Sequence, residues 1–154
     1  MSIIVPESFA KLAKLVKLQV RKCGLNGSFP KDILQIPTLA ILDVEDNQGL
    51  RCSLPNFKWH CSLYDINLSN TNFSRMLLGV ISNLKQLSRI DLSYCQFNGT
   101  LSSSIYELNQ LVYQDFSYNN FTGSLPPFNM SKNLTYLSLF QLFIFLVCQF
   151  GSHQ

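Results

Sequence analysis

Leu15, Leu39, Leu63, Leu87 and Leu111 stand 24 residues apart, and Leu134 follows after 23. Three residues on from each come Leu18, Leu42, Ile66, Ile90, Gln114 and Leu137, and two further come Val20, Val44, Leu68, Leu92, Phe116 and Leu139. Three further still stand Cys23, Asn47, Thr71, Cys95 and Asn119. A fixed period of this length marks a chain built by stacking one supersecondary unit, each copy covering its apolar face with the next. Within each copy apolar and variable residues alternate, so side chains point by turns into the stack and out from a parallel sheet.

The pattern LxxLxLxxN/C at this spacing is that of a leucine-rich repeat. It predicts an α/β solenoid with a parallel β-sheet on the concave face and irregular or short helical segments on the convex face. The column of Asn, Cys and Thr falls where the chain turns off the strand, and a small polar group there can bond the backbone of a neighbouring coil that would otherwise be buried unpaired. Cys23 and Cys95 are therefore expected to be buried members of this ladder, not reactive thiols. Residues 1–14 read as the end of a preceding repeat, 15–133 as about five repeats, and 134–154 as the start of a further repeat that diverges into an apolar tail. With 47% hydrophobic residues the chain can fill a continuous core, while 14% charged residues is low for a solvated surface.

Beyond the strand, three copies continue as GLNGSFPKDI at 24–33, QFNGTLSSSI at 96–105 and NFTGSLPPF at 120–128. This resembles the plant-specific repeat type, LxxLxLxxNxLxGxIPxxLxx. Gly27, Gly99 and Gly123 are expected to supply turn freedom, and the prolines after Phe29 and Leu125 to stop the backbone from rejoining a ladder. The third repeat departs from the type, with Arg75 for the glycine and Leu78 for the proline, so its convex side is expected to be irregular. The segments FPKDILQIPTLAILDVEDN, LSRIDLSYCQFNGTL and FTGSLPPFNMSKNLTYLSL look like parts of plant receptor-like proteins of the Verticillium wilt resistance class, a resemblance that covers most of residues 5–139. It implies a cell-surface module on the extracellular side of the plasma membrane, with a protein or peptide ligand of pathogen origin and a partner receptor kinase. It implies no cofactor.

The two ends read differently from the repeats. At the start, VPESFAKL matches the end of a preceding repeat, and the apolar run Ile3 to Val5 is too short for a secretory signal. At the other end, Leu134 to Phe150 spans 17 residues and is interrupted by Thr135, Ser138, Gln141 and Gln149. A spanning helix needs roughly 20 predominantly apolar residues. The tail is open to three readings: a membrane anchor, a terminal strand covering the core, or read-through of a truncated coding sequence.

Chemistry at a catalytic centre finds no support in the sequence. There is no phosphate-binding glycine loop, no kinase signature and no nucleophile elbow, and His60 and His153 are the only histidines. His60 beside Cys61 lacks further ligands at zinc-like spacing, so no metal site is expected. The excess of twelve basic over nine acidic residues is too small to argue for nucleic acid. Five cysteines do not make a disulfide framework, although Cys52 and Cys61 could bridge across RCSLPNFKWHC, where Trp59 is expected to pack in the loop. Sequons occur at Asn26, Asn67, Asn72, Asn98, Asn120, Asn129 and Asn133. Asn67 lies on a strand, so the candidate glycosylation sites are the other six. Their density suits a secreted glycoprotein, although Asn, Ser and Thr are also frequent in this repeat for turn reasons.

What remains is a binding surface. The outward columns run Lys17, Ile41, Asp65, Arg89, Tyr113; then Gln19, Asp43, Asn67, Asp91, Asp115; then Arg21, Glu45, Ser69, Ser93, Ser117; then Lys22, Asp46, Asn70, Tyr94, Tyr118. Candidate ligand contacts are Arg21, Lys22, Glu45, Asp46, Asn70, Arg89, Asp91, Tyr94, Tyr113, Asp115 and Tyr118. The acidic column has a bland alternative, because aspartate before a serine is common wording in such repeats. The tyrosines belong to a residue type enriched at binding hot spots, but could equally shield a sheet edge or contact glycans. Gln114 stands where every other repeat has Leu or Ile, so its amide is either satisfied by a neighbouring coil or a cost to the fold. The readings left open are an immune receptor-like module, a free secreted repeat protein of the enzyme-inhibitor type, and a non-functional truncated gene product.

Overall fold

In the computed structural model, which describes residues 2–77, 79–124 and 131–140, the repeat becomes a right-stacked ladder of short strands. Six form one parallel sheet: β1 (Lys17–Gln19), β3 (Ile41–Asp43), β5 (Asp65–Asn67), β7 (Arg89–Asp91), β9 (Tyr113–Asp115) and β11 (Tyr136–Ser138). They pair in strict register, Lys17 beside Ile41, Asp65, Arg89, Tyr113 and Tyr136 in turn. The period of the sequence is thus the register of the sheet. Each column of the repeat is a row across neighbouring strands, spaced at roughly 4.8 Å.

The inward residues of these strands build the core. Leu42, Ile66, Ile90, Val44, Leu68 and Leu92 are fully buried, as are Leu39, Leu63 and Leu87 at the strand entries. A second row of buried aromatics, Phe29, Phe73, Phe97 and Phe121, closes the core from the opposite side. At roughly 2 kcal/mol or more per buried large apolar side chain, this continuous stripe is the main source of stability.

The polar ladder works as its column implies. Asn47 Nδ2 donates to the Val20 and Val44 carbonyls at 2.7 Å each, while its Oδ1 accepts from the backbone N–H groups of Cys23 and Leu25. Asn119 repeats this on Leu92, Phe116 and Phe97. Cys95 is buried and its thiol donates to the Leu68 carbonyl; burial pushes its pKa up to about 11. Cys23 departs from expectation, for it is exposed and its thiol donates within its own coil, to Arg21 O. A ladder side chain reaches back to the preceding coil's strand, and residues 2–16 provide no strand for Cys23 to meet.

Just past the turn lies a second parallel sheet, which the sequence reading did not anticipate: β2 (Asn26–Ser28), β4 (Asn47–Cys52), β6 (Thr71–Met76), β8 (Gln96–Thr100) and β10 (Asn120–Thr122). The NGS-type wording reads as a turn, yet it forms a ladder. Gly27 and Gly99 within that sheet, and Gly123 just past it, do have left-handed backbones, at φ 77°, 78° and 85°. Arg75 adopts φ 80° in the equivalent place, a conformation that L side chains adopt at a cost. The convex side carries 3-10 helices at Glu7–Lys11, Lys31–Gln35 and Ser103–Glu107, the last capped by Ser102 on Ser104 N–H. Among the described residues the third repeat has turns there and no helix, in keeping with its sequence. No helix among them is long and apolar enough to cross a membrane. Residues 141–154, the apolar tail, lie outside the described part.

Candidate functional site

The concave sheet gathers charge that the rest of the chain does not share. Its four columns hold Asp43, Glu45, Asp46, Asp65, Asp91 and Asp115 against Lys17, Arg21, Lys22 and Arg89, so this face is net acidic on a chain of net charge +3. The face also divides along its length into two chemically distinct stretches.

Over the first three strands it is a network of ion pairs. Arg21 Nε lies 3.3 Å from Asp43 Oδ2 and its Nη1 3.6 Å from Glu45 Oε2, while Lys22 Nζ lies 3.4 Å from Asp46 Oδ2. Asn70 donates to Asp46, and Asn67 to Glu45. Arg21, Asp43, Glu45, Asp65, Asn67, Arg89 and Asp91 line an open polar depression of about 280 Å³. Asp65 sits at its middle with its pKa raised, chiefly by burial, against the lowering influence of Arg89.

Over the last three strands the same columns become aromatic. Tyr113 and Tyr136 stack with centroids 4.4 Å apart at 4°, and the Arg89 guanidinium lies 4.1 Å over the Tyr113 ring. In the fourth column Tyr94 and Tyr118 stack at 4.1 Å and 11°, with Phe140 tilted against Tyr118 at 5.5 Å. Between the two rows runs the acidic column. Tyr113 Oη donates to Asp91 Oδ2 at 3.3 Å and Tyr136 Oη to Asp115 Oδ2 at 3.4 Å. Burial first, then the carboxylates of Asp91 and Asp115, push the Tyr113 hydroxyl well above the ordinary tyrosine range.

Half of each aspartate is committed to the fold. Asp91 Oδ1 accepts from Ser93 N and Oγ, Asp115 Oδ1 from Ser117 N and Oγ, and Asn67 Oδ1 from Ser69 in the same way. The bland account of the aspartate–serine wording therefore holds for Oδ1, and leaves Oδ2 facing the groove.

The fourth column is not extended strand, as its place among the outward columns had implied. Lys22, Asp46, Asn70, Tyr94 and Tyr118 all have left-handed backbones, at φ between 53° and 58°. This turn swings each side chain beside its neighbour's and brings the tyrosine rings into a stack. Two aromatic members were missed, Tyr136 and Phe140. They fall in the stretch read as a diverging repeat, although the signal was available: Tyr136 follows Tyr113 at the repeat spacing.

Other expectations resolve individually. Gln114 is 1% exposed and its Oε1 has no hydrogen-bond partner among the described residues, so no described neighbouring coil satisfies that oxygen. Cys52 and Cys61 are free and buried, with burial raising both pKa values. Trp59 does not pack in the loop; it is 81% exposed and meets only His60 edge-on. Asn72, Asn98, Asn120 and Asn133 are exposed, Asn26 is half-buried and Asn129 lies outside the described residues, while Asn67 is buried with its amide engaged by Glu45.

Comparison with known proteins places this geometry. The Leucine Rich Repeat family model matches residues 86–108. Receptor-like protein 6 of Arabidopsis thaliana is 37% identical over 86 residues, 56% of this chain and 9% of that protein, so the chain spans less than a tenth of this relative. Among solved structures, the PEPR1–AtPEP1 complex superimposes with a TM-score of 0.79 at 28% identity, over 88% of this chain and 19% of that one. The ectodomain of the Arabidopsis receptor kinase HAESA, bound to an extended IDA peptide hormone, shares the fold with a TM-score of 0.86 at 24% identity, over 92% of this chain and 24% of that one. The chain folds as a leucine-rich repeat solenoid and is similar in sequence to a plant receptor-like protein and in structure to the ectodomains of plant receptors.

Proposed function

We propose that the chain is the ligand-binding repeat module of a plant cell-surface receptor-like protein that acts in defence signalling, and that its concave face takes a protein or peptide ligand. The observation that carries this reading is the pair of stacked tyrosine rows flanking an acidic column on an open sheet face. Rigid aromatic side chains there offer a large contact area at low conformational cost. The similarity to the HAESA ectodomain, solved with a peptide hormone, supports the same reading. On this account the module works on the extracellular side of the plasma membrane, and a receptor kinase carries its signal. The four exposed sequons would bear glycans there; expression through a plant secretory pathway followed by enzymatic deglycosylation should lower the apparent mass by several glycans.

The test uses the full chain secreted from plant cells, beside a variant carrying Tyr94→Ala, Tyr113→Ala and Tyr118→Ala. Each is exposed to extracellular fluid of infected tissue, and bound peptides are identified by mass spectrometry. A peptide or protein retained by the parent and lost from the variant supports the proposal. Identical retention by both would sink it.

A further inference from the structure

The acidic column ends on a carboxylate that no base among the described residues neutralises. Asp43 pairs with Arg21 and Asp91 with Arg89, but among the described residues no lysine or arginine lies within ion-pair distance of Asp115. Its Oδ1 is held by Ser117, and its Oδ2 accepts only the long bond from Tyr136. Asp115 is also the acid between the two aromatic rows, with Tyr113 and Tyr136 on one side and Tyr118 on the other. Its charge, behind burial and the Asp91 carboxylate, helps raise the hydroxyl pKa of Tyr113.

The chain itself displays what suits such a place. The guanidinium of Arg89 lies 4.1 Å over the Tyr113 ring with Nη2 3.5 Å from Asp91 Oδ2. Asp91 and Asp115 are register partners on neighbouring strands, so a cation placed over the outer tyrosine ring would meet Asp115 as Arg89 meets Asp91. A planar cation is favoured over aromatic faces and beside a carboxylate shielded from water.

We propose that the groove between the tyrosine rows takes an extended peptide by one of its arginine or lysine side chains, the cationic head on Asp115 Oδ2 and the stem between the rings. This rests on the reading of the concave face as a peptide-binding surface and adds the chemistry of the residue it selects. The excess of acid over base on this face, opposite in sign to the whole chain, favours the same partner.

Random peptides of about twelve residues displayed on phage would be selected on the full chain and, in parallel, on Asp115→Asn. Asparagine suits the site, because Asn67 occupies the same column and makes the same Oδ1 bonds to its serine; a thermal melt verifies folding. The expected result is enrichment of peptides with Arg or Lys at a recurrent position on the parent chain only. A synthetic peptide of that sequence should bind roughly tenfold more weakly to Asp115→Asn, and lose about the same factor when its arginine is replaced by citrulline. Asp32→Asn on the convex face should change its affinity by less than about twofold. Enriched peptides without a basic residue, or equal binding to parent and Asp115→Asn, would overturn the selection of a cation and leave peptide binding standing. No enrichment over bare support would overturn both.

Discussion

The two stretches of the concave face stand on one scaffold and differ only in what the outward columns carry. Over the first three strands, acids and bases answer one another within the chain: Arg21 reaches two carboxylates, Lys22 a third, and Asn67 and Asn70 close the gaps. Such a surface has spent its charges on itself. Over the last three strands tyrosines take most of these places and their rings stack along the rows; of the acids between them Asp91 keeps Arg89, while Asp115 has no base within ion-pair distance among the described residues. A self-paired surface offers an incoming ligand little, since each existing pair must be broken first; exposed pairs are worth little to the fold in any case. An aromatic surface with an open carboxylate offers contact area and charge together. The difference teaches that binding capacity on a solenoid is set by column, not by coil.

That comparison can be broken at the scaffold, where the effects are largest. Asn47→Ala beneath the first stretch and Asn119→Ala beneath the second each leave buried backbone groups unpaired, and each should cost about 2–3 kcal/mol in urea denaturation. Clearly unequal losses would show that the halves do not share one scaffold. Next comes a defect in the core beneath the aromatic half: Gln114→Leu removes the unpartnered buried Oε1 and should raise stability by about 1–2 kcal/mol, read as a higher melting temperature. A drop would show the amide to be well satisfied. Arg75, between the halves, holds a backbone angle that its counterparts give to glycine, so Arg75→Gly should stabilise by about 1 kcal/mol, and no change would mean the local turn relaxes freely.

The smallest effect lies in the ion-paired depression and depends on pH. Burial raises the pKa of Asp65, so the folded state prefers its proton. The stability this contributes is present below the unfolded carboxyl pKa and is lost as pH rises through the folded one. Asp65→Asn should therefore stabilise by a few tenths of a kcal/mol at neutral pH, and by nothing below about pH 4, where both states carry the proton. Melts at the two pH values check this; a stabilisation that persists in acid would assign the gain to packing instead.

Much of this molecule was legible because its fold repeats. One period placed Leu42, Ile66 and Ile90 in the core, the ladder at Asn47 and Asn119, and the outward columns on a common face, since a parallel sheet in register turns sequence spacing into spatial adjacency. The same logic failed where spacing is not the deciding variable. The second sheet was hidden in wording that suits a turn, because its left-handed glycines read as breaks, although the ladder continues through them. Trp59 is expected to pack in its loop, but the buried places of that stretch are held by Phe57 and Cys61, and the indole stays in solvent. Cys23 carries the ladder residue type without the preceding strand that gives the ladder its purpose.

By itself, then, the sequence determined the solenoid, its register and which columns face outward, because stacking identical units leaves only one way to bury every leucine. The tertiary structure alone decided which outward residues act together. Whether Arg21 would answer Asp43, whether Asp115 would be left open, and whether left-handed turns would bring Tyr94 onto Tyr118 depend on side-chain directions between neighbouring coils, and column membership carries no information about those.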